Sequence, residues 1–194
     1  SSSAVYGDGT GPNSPYGLHK LMSEMECKLY SELYGLDTVC LRYFNAYAED
    51  QEYGGSYSTV ISAWMELIKQ NKPLRIDGDG EQTRSFMFID DCIEGTKKIF
   101  SSNFTNVYNL GSSEQVSINQ MIAIIEDIAK YQVKKKYLLD KPKGVRGRSR
   151  DNTKIIKDIS WEPNIMLKEG LQKTYKWIFD SLVSGDNTKK FTRF

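Results

Sequence analysis

Tyr16 and Lys20 stand four residues apart behind Ser14-Pro15, and three serines, Ser1-Ser2-Ser3, lie a short way upstream. Ser14 is a preferred N-cap residue and Pro15 suits the first helical position, so a helix is expected to begin here. Residues four apart share one helix face, which sets the Tyr16 phenol beside the Lys20 ammonium. A phenol next to a cation, with a serine hydroxyl nearby, can take, hold and return a proton. Tyr-x-x-x-Lys alone is a common coincidence, so its weight depends on the elements that carry it.

Those elements alternate. Leu18, Leu21, Met22, Met25, Leu29 and Leu33 recur at intervals of three and four, predicting an amphipathic helix from Pro15 to Tyr34, ended by Gly35. Thr38–Phe44 reads as a β-branched and aromatic strand, and Ser1–Gly7 as the end of a buried strand. Strand, helix and strand in so short a span suggest a parallel βαβ unit. Further helices are expected from Val60, from Asp90 or Asp91 as cap, from Ser117 as cap, over Thr153–Ile159, and from Leu167. Short strands are expected at Leu74–Ile76, Arg84–Ile89, Val107–Leu110 and Lys134–Leu139.

Composition narrows the function classes. The net charge is +1, which argues against nucleic acid or a membrane surface as the main partner. No apolar run approaches the roughly 18 residues of a membrane-spanning helix. Cys27, Cys40 and Cys92 are odd in number and lack C-x-x-C spacing, so free thiols in a reducing compartment, the cytoplasm, are expected. The first residue is not Met and the chain opens inside an expected strand, which reads as a fragment, a processed product or an incompletely represented chain.

Several motifs invite a sharper reading and fail it. Gly7-x-Gly9-x-Gly11 lies between strand and helix, but its spacing is not the dinucleotide fingerprint and no acid ends the next strand. Asp77, Asp79 and Gly80 imitate a calcium loop whose twelfth position would be Phe88; no metal is expected. His19 is the single histidine and reads as structural. Residues 130–150 are basic, and Arg146 and Arg148 sit on a Gly-containing loop where planar guanidinium groups suit a diphosphate. Arg84, at the start of an apolar strand, is a second candidate for that role.

Taken together, Ser-Ser-Ser-Ala-Val-Tyr-Gly, Ser-Pro-Tyr-Gly-Leu-His-Lys and Leu41-Arg42-Tyr43-Phe44-Asn45 resemble the extended short-chain dehydrogenase/reductase family, the NAD-dependent nucleotide-sugar epimerases and dehydratases. Asp79–Phe86 and Tyr108-Asn109-Leu110-Gly111 extend the likeness, which runs in order from Ser1 to about Phe179. It covers the family's second part; the glycine-rich NAD loop is not among these residues, so this chain alone is expected to be inactive. The resemblance implies that Tyr16 is the catalytic base. Lys20 would hold the nicotinamide ribose and stabilise the phenolate, and Ser2 would hydrogen-bond the reacting sugar oxygen. Tyr43 and Phe44 would lie beside the nicotinamide. Ser3, Asn45, Arg84, Arg146, Arg148 and Asp151 would contact the nucleotide-diphosphate sugar.

The same likeness separates the reactions. Related dehydratases and decarboxylases carry an acid just before Val-Tyr-Gly, where Ser3 and Ala4 stand here and cannot protonate a leaving group. The C-terminal motifs Gln82–Phe86 and Gly144–Arg148 are closest to GDP-mannose 3,5-epimerases, whose Cys and Lys reagents correspond to Ala4 and, nearly, Ser58. A 4-epimerase of the UDP-glucose type needs neither reagent. The expected fold is α/β: the second part of a Rossmann-type parallel sheet (1–45 and 86–104) with a smaller α+β substrate-binding lobe (46–85 and 105–194). By resemblance, a homodimer is expected.

Overall fold

A computed structural model describes residues 1–49, 51, 60–140 and 151–183. A 3-10 turn, Ser3–Tyr6, comes first, followed by α1 (Pro15–Tyr34), β1 (Cys40–Tyr43), β2 (Ala46–Tyr47) and α2 (Val60–Lys69). Next are β3 (Leu74–Asp77), β4 (Thr83–Ser85), β5 (Met87–Phe88), α3 (Ile89–Phe100) and β6 (Val107–Leu110). The described chain continues through β7 (Gln115–Ser117), α4 (Ile118–Ala129), β8 (Lys135–Leu138), α5 (Thr153–Ile159) and α6 (Leu167–Val183). The fold is α/β with parallel strand pairs.

Two compact units emerge. The first contains Ser1–Ala46, Gln82–Gln115 and the described part of Gly144–Met166. Its sheet pairs β1 with β6 in parallel, Leu41 opposite Tyr108 and Tyr43 opposite Leu110. A bridge joins Ser2 to Tyr43 on the other side of β1. Leu41, Met87, Cys92, Ile99, Tyr108, Leu110, Ile155 and Trp161 form one buried cluster. Each large apolar side chain there removes enough surface from water to contribute about 1.5–3 kcal/mol. Because β6 pairs with β1 and α5 supplies Ile155 to this core, residues 107–110 and 153–159 stand with the sheet, not with the lobe expected from sequence.

The second unit contains Tyr47–Glu81, Val116–Lys143 and the described part of Leu167–Phe194. Here β3 pairs in parallel with β8, and Leu74 and Ile76 are buried. Ser117 caps α4 through a capping box with Gln120, and Met121, Ile122 and Ile125 fill the helix's inner face. Lys168 of α6 reaches Asp127 of α4 at 2.7 Å, an exposed pair of small energetic weight.

Three local expectations change. Ser1–Gly7 is a single bridge followed by a 3-10 turn: the Ser2 hydroxyl caps the turn, and Gly7 leaves it with φ 54. A side chain at Gly7 would also meet the Gly11 carbonyl oxygen at 1.9 Å. The single strand expected at Arg84–Ile89 is split into β4 and β5. Neither Asp90 nor Asp91 caps α3, whose N-cap is Phe88 without a side-chain bond. Asp91 is instead 3% exposed and accepts the Asn164 and Ile165 amides at 3.1 and 2.9 Å, pinning the 160s loop to α3.

Candidate active site

Helix α1 begins as its sequence dictates, with the Ser14 hydroxyl accepting the Gly17 amide at 3.1 Å and Pro15 in the first turn. Gly17 lets that turn press on the 3-10 segment: a Cβ there would lie 2.5 Å from the Ala4 carbonyl oxygen. This contact seats the first turn of α1, which carries Tyr16, against the 3-10 turn that Ser2 caps. Tyr16 is 57% exposed, and the Lys20 ammonium lies 5.6 Å from its ring centroid. The pair therefore shares one face, and the phenol is open to an incoming molecule.

Ser2 spends a lone pair on the Ala4 amide at 3.2 Å, which leaves its O–H to donate elsewhere. Ser3 is buried. Tyr43 is half-buried, its hydroxyl 3.0 Å from that of Thr96. Phe44 is 1% exposed, its ring centroid 6.3 Å from that of Tyr6, so it supports the corner from within. Asn45 holds φ 40, and its Nδ2 donates to the Ser85 carbonyl at 2.8 Å. Arg84 donates to the Thr83 carbonyl at 2.8 Å. Asp151 is exposed and its carboxylate accepts the Thr153 amide at 2.9 Å; hydrogen bonding from Thr153 holds it below the ordinary carboxylate range. Arg146 and Arg148 lie outside the described residues.

Sequence reasoning missed the network beneath this corner. Arg42 grips the 7%-exposed Glu24 with two bonds, Nε to Oε1 at 2.8 Å and Nη2 to Oε2 at 2.6 Å. Its third bond goes from Nη1 to the Tyr6 hydroxyl at 2.7 Å, and Tyr6 donates on to Asn109 at 2.8 Å. Asn109 in turn donates to the Asp151 carbonyl at 2.9 Å, and Ser1 donates to Glu24. Burial acts to raise the Glu24 acid, but the guanidinium and the Ser1 hydroxyl outweigh it and hold the group low. The same pairing raises Arg42 further above its ordinary value. A signal was present: an arginine between Leu41 and Tyr43 in an apolar strand requires an anionic partner or a path to solvent.

Comparison with known proteins now places this corner. The model of the NAD dependent epimerase/dehydratase family matches residues 1–111, which hold the serines, Tyr16, Lys20 and Arg42. The chain belongs to that family. Its resemblance to GDP-mannose 3,5-epimerase of Arabidopsis thaliana is 37% identity over 174 residues, 88% of this chain and 45% of the relative. UDP-glucuronate 4-epimerase of Thermodesulfobacterium geofontis is 35% identical over 86% of this chain and 50% of its own length. UDP-glucuronic acid 4-epimerase from Bacillus cereus, solved with UDP-glucuronic acid and NAD, superposes with a TM-score of 0.84 at 32% identity, covering 93% of this chain and 60% of that one. The chain spans about half the length of the curated relatives it matches.

The family's cofactor is NAD, and this epimerase/dehydratase chain fits one end of it. The exposed Tyr16 phenol and the adjoining Lys20 suit a nicotinamide ribose. The Gly7–Gly11 loop does not suit a pyrophosphate, because the Gly9 and Gly11 amides both turn inward to the Tyr6 carbonyl, at 2.8 and 3.3 Å.

Proposed function

We propose that this chain is the reacting part of an NAD-dependent nucleotide-sugar 4-epimerase that interconverts C4 epimers of a UDP-sugar of the UDP-glucose/UDP-galactose type. One observation carries the reading: the 3-10 corner offers hydroxyl, phenol and ammonium groups, and no residue from Ser1 to Tyr6 is acidic. Such a corner suits proton removal and return at one oxygen, and it lacks the acid that elimination needs.

In this reading Tyr16 takes the proton of the sugar 4-hydroxyl and later returns it. Ser2, its lone pair engaged by Ala4, donates to the same oxygen and fixes its position. Lys20 stabilises the phenolate electrostatically. When bound, NAD accepts and returns the hydride at C4. Asn45, Arg84, Arg146, Arg148 and Asp151 hold the nucleotide diphosphate, and Ser3 packs beneath the sugar. Tyr43 and Phe44 back the nicotinamide side. The described residues in this reading, Ser2, Ser3, Tyr16, Lys20, Tyr43, Phe44, Asn45, Arg84 and Asp151, all belong to the first unit.

GDP-mannose 3,5-epimerisation is the second reading, favoured by the 37% identity to the plant enzyme and opposed by Ala4, which has no proton to exchange. The enzyme expressed from its complete reading frame should convert at least one of UDP-glucose, UDP-galactose, their N-acetyl forms and UDP-glucuronate. If all of these stay unconverted while GDP-mannose reacts, the second reading replaces the first. Residues 1–194 by themselves should show no turnover, since no phosphate-binding glycine loop is among them.

The apolar stripe of α1 is exposed: Leu18, Met22, Met25, Leu29 and Leu33 are between 49% and 64% open. We assign it to a second copy of the chain, consistent with the dimer implied by the family resemblance. No helix among the described residues is long and apolar enough to cross a membrane. The three free thiols suit a reducing, cytoplasmic setting.

A further inference from the structure

The hydrogen bonds beneath the 3-10 turn run in one direction. A guanidinium only donates, so the Tyr6 oxygen accepts from Arg42 Nη1 at 2.7 Å. The Tyr6 O–H is left to donate, and its acceptor is Asn109 Oδ1 at 2.8 Å. With that amide oxygen engaged, Asn109 Nδ2 faces the other way and donates to the Asp151 carbonyl at 2.9 Å. Flipping the Asn109 amide would set its NH₂ group against the Tyr6 O–H. Arg42 is itself fixed, because Glu24 accepts from its Nε and Nη2 and its guanidinium lies 4.8 Å from the Tyr6 ring centroid.

The far end of this chain is held from a second side. Buried Asn152 donates from Nδ2 to the Gly111 carbonyl at 2.9 Å, next to the Asp151 carbonyl that Asn109 holds. Asn109 and Gly111 stand at the carboxyl end of β6, which runs parallel to β1, and the last residue of β1, Tyr43, bridges Ser2. Parallel α/β sheets take their ligands at the carboxyl ends of the strands. At that end Tyr6 joins the turn that Ser2 caps to the segment that opens α5.

We propose that Tyr6 is a positioning residue for the nucleotide sugar. By orienting Asn109 it holds the main chain at Asp151 in register with the Ser2 turn, so a ligand that spans the two meets both at once. This role rests on the epimerase reading, in which Ser2 meets the sugar and Asp151 the nucleotide end. Tyr6 acts through Asn109 and not on the sugar itself. Tyr6→Phe keeps the ring beside Phe44 and Arg42 and removes the one hydroxyl that orients Asn109. Ser2, Tyr16 and Lys20 keep their places, so binding weakens while the chemical step does not: KM rises and kcat stays.

The test compares Tyr6→Phe, Asn109→Leu and the two combined in the enzyme expressed from its complete reading frame. Each single substitution should raise KM for the nucleotide sugar about tenfold, the scale of one lost hydrogen bond, with kcat within about twofold. The combination should raise KM no further, because the two residues act in series. An unchanged KM, a fall in kcat in its place, or effects that multiply would overturn the proposal. Amide hydrogen exchange supplies a readout that needs no turnover. In Tyr6→Phe, residues 151–156 should exchange faster while α3, in the same unit, does not change. Exchange that is unaltered at 151–156, or faster in both places, also overturns it. If the unmodified enzyme converts no nucleotide sugar, the epimerase reading fails separately and the exchange result alone decides whether Tyr6 positions Asp151.

Discussion

Arg42 is the residue on which the corner's architecture depends, because it neutralises a buried acid and orients Tyr6 at once. Arg42→Met leaves Glu24 charged and unpaired in a 7%-exposed position, and breaking a buried pair in this way costs about 3–5 kcal/mol. Urea denaturation should show that loss as a lowered midpoint with an unchanged slope. Glu24 also sets a pH dependence. Its folded-state acidity lies below the ordinary value of 4.5, so its contribution is complete above that value. It is lost as pH falls through the lower folded value. Between pH 7 and pH 3 the unmodified chain should therefore lose more stability than Glu24→Gln; equal losses would contradict the assignment. Tyr16 should behave in the opposite way. Since it is 57% exposed, Tyr16→Phe should leave stability unchanged while lowering turnover of the complete enzyme by about 10²–10⁴-fold. At this scale the placing of Tyr16 beside Lys20 was legible, because Ser14, Pro15 and a spacing of four fix it. Glu24 was not, since its burial depends on an arginine eighteen positions away in sequence.

Among the elements, α1 shows how tertiary contact overrides propensity. Alanine is a better helix former than glycine by about 1 kcal/mol. Gly17→Ala should nevertheless destabilise the chain, because the new methyl would meet the Ala4 carbonyl, a backbone atom, at 2.5 Å. Thermal unfolding followed by circular dichroism gives the sign directly; a raised Tm would show that the helix and the 3-10 turn part freely. The bounds of α1 were readable from Ser14, Pro15 and Gly35, and those of β6 and α4 from their apolar patterns and flanking residues. The break between β4 and β5 was not readable. There the Asn45 side chain takes the Ser85 carbonyl and the Ser85 hydroxyl donates to Ser112 at 2.7 Å, local bonds that no apolar pattern records. The periodic Leu and Met stripe of α1 is exposed, and the positions the helix buries are Gly17 and Glu24. A 3.6-residue pattern finds an apolar face without saying what covers it.

For the whole molecule, that stripe sets one expectation. Leu29→Glu combined with Leu33→Glu should convert the complete enzyme from dimer to monomer in sedimentation velocity, and persistence of the dimer would remove α1 from the interface. The family was legible because its motifs run in order along the chain, and it is shown by the match over residues 1–111. The proposed reaction rests on fewer groups: Ser2, Tyr16 and Lys20 are its reagents, and Ala4 is the position through which the family resemblance sets elimination and 3,5-exchange aside. Those alternatives move different hydrogens. In a 4-epimerase the C4 hydride leaves and returns without meeting solvent, whereas exchange at C3 and C5 passes protons through water. The decisive measurement is to run the complete enzyme with NAD and its nucleotide sugar in D₂O and follow the products by NMR. A mixture of C4 epimers with no deuterium on any ring carbon is the predicted result; deuterium at C3 or C5, or loss of water from the sugar, would contradict it.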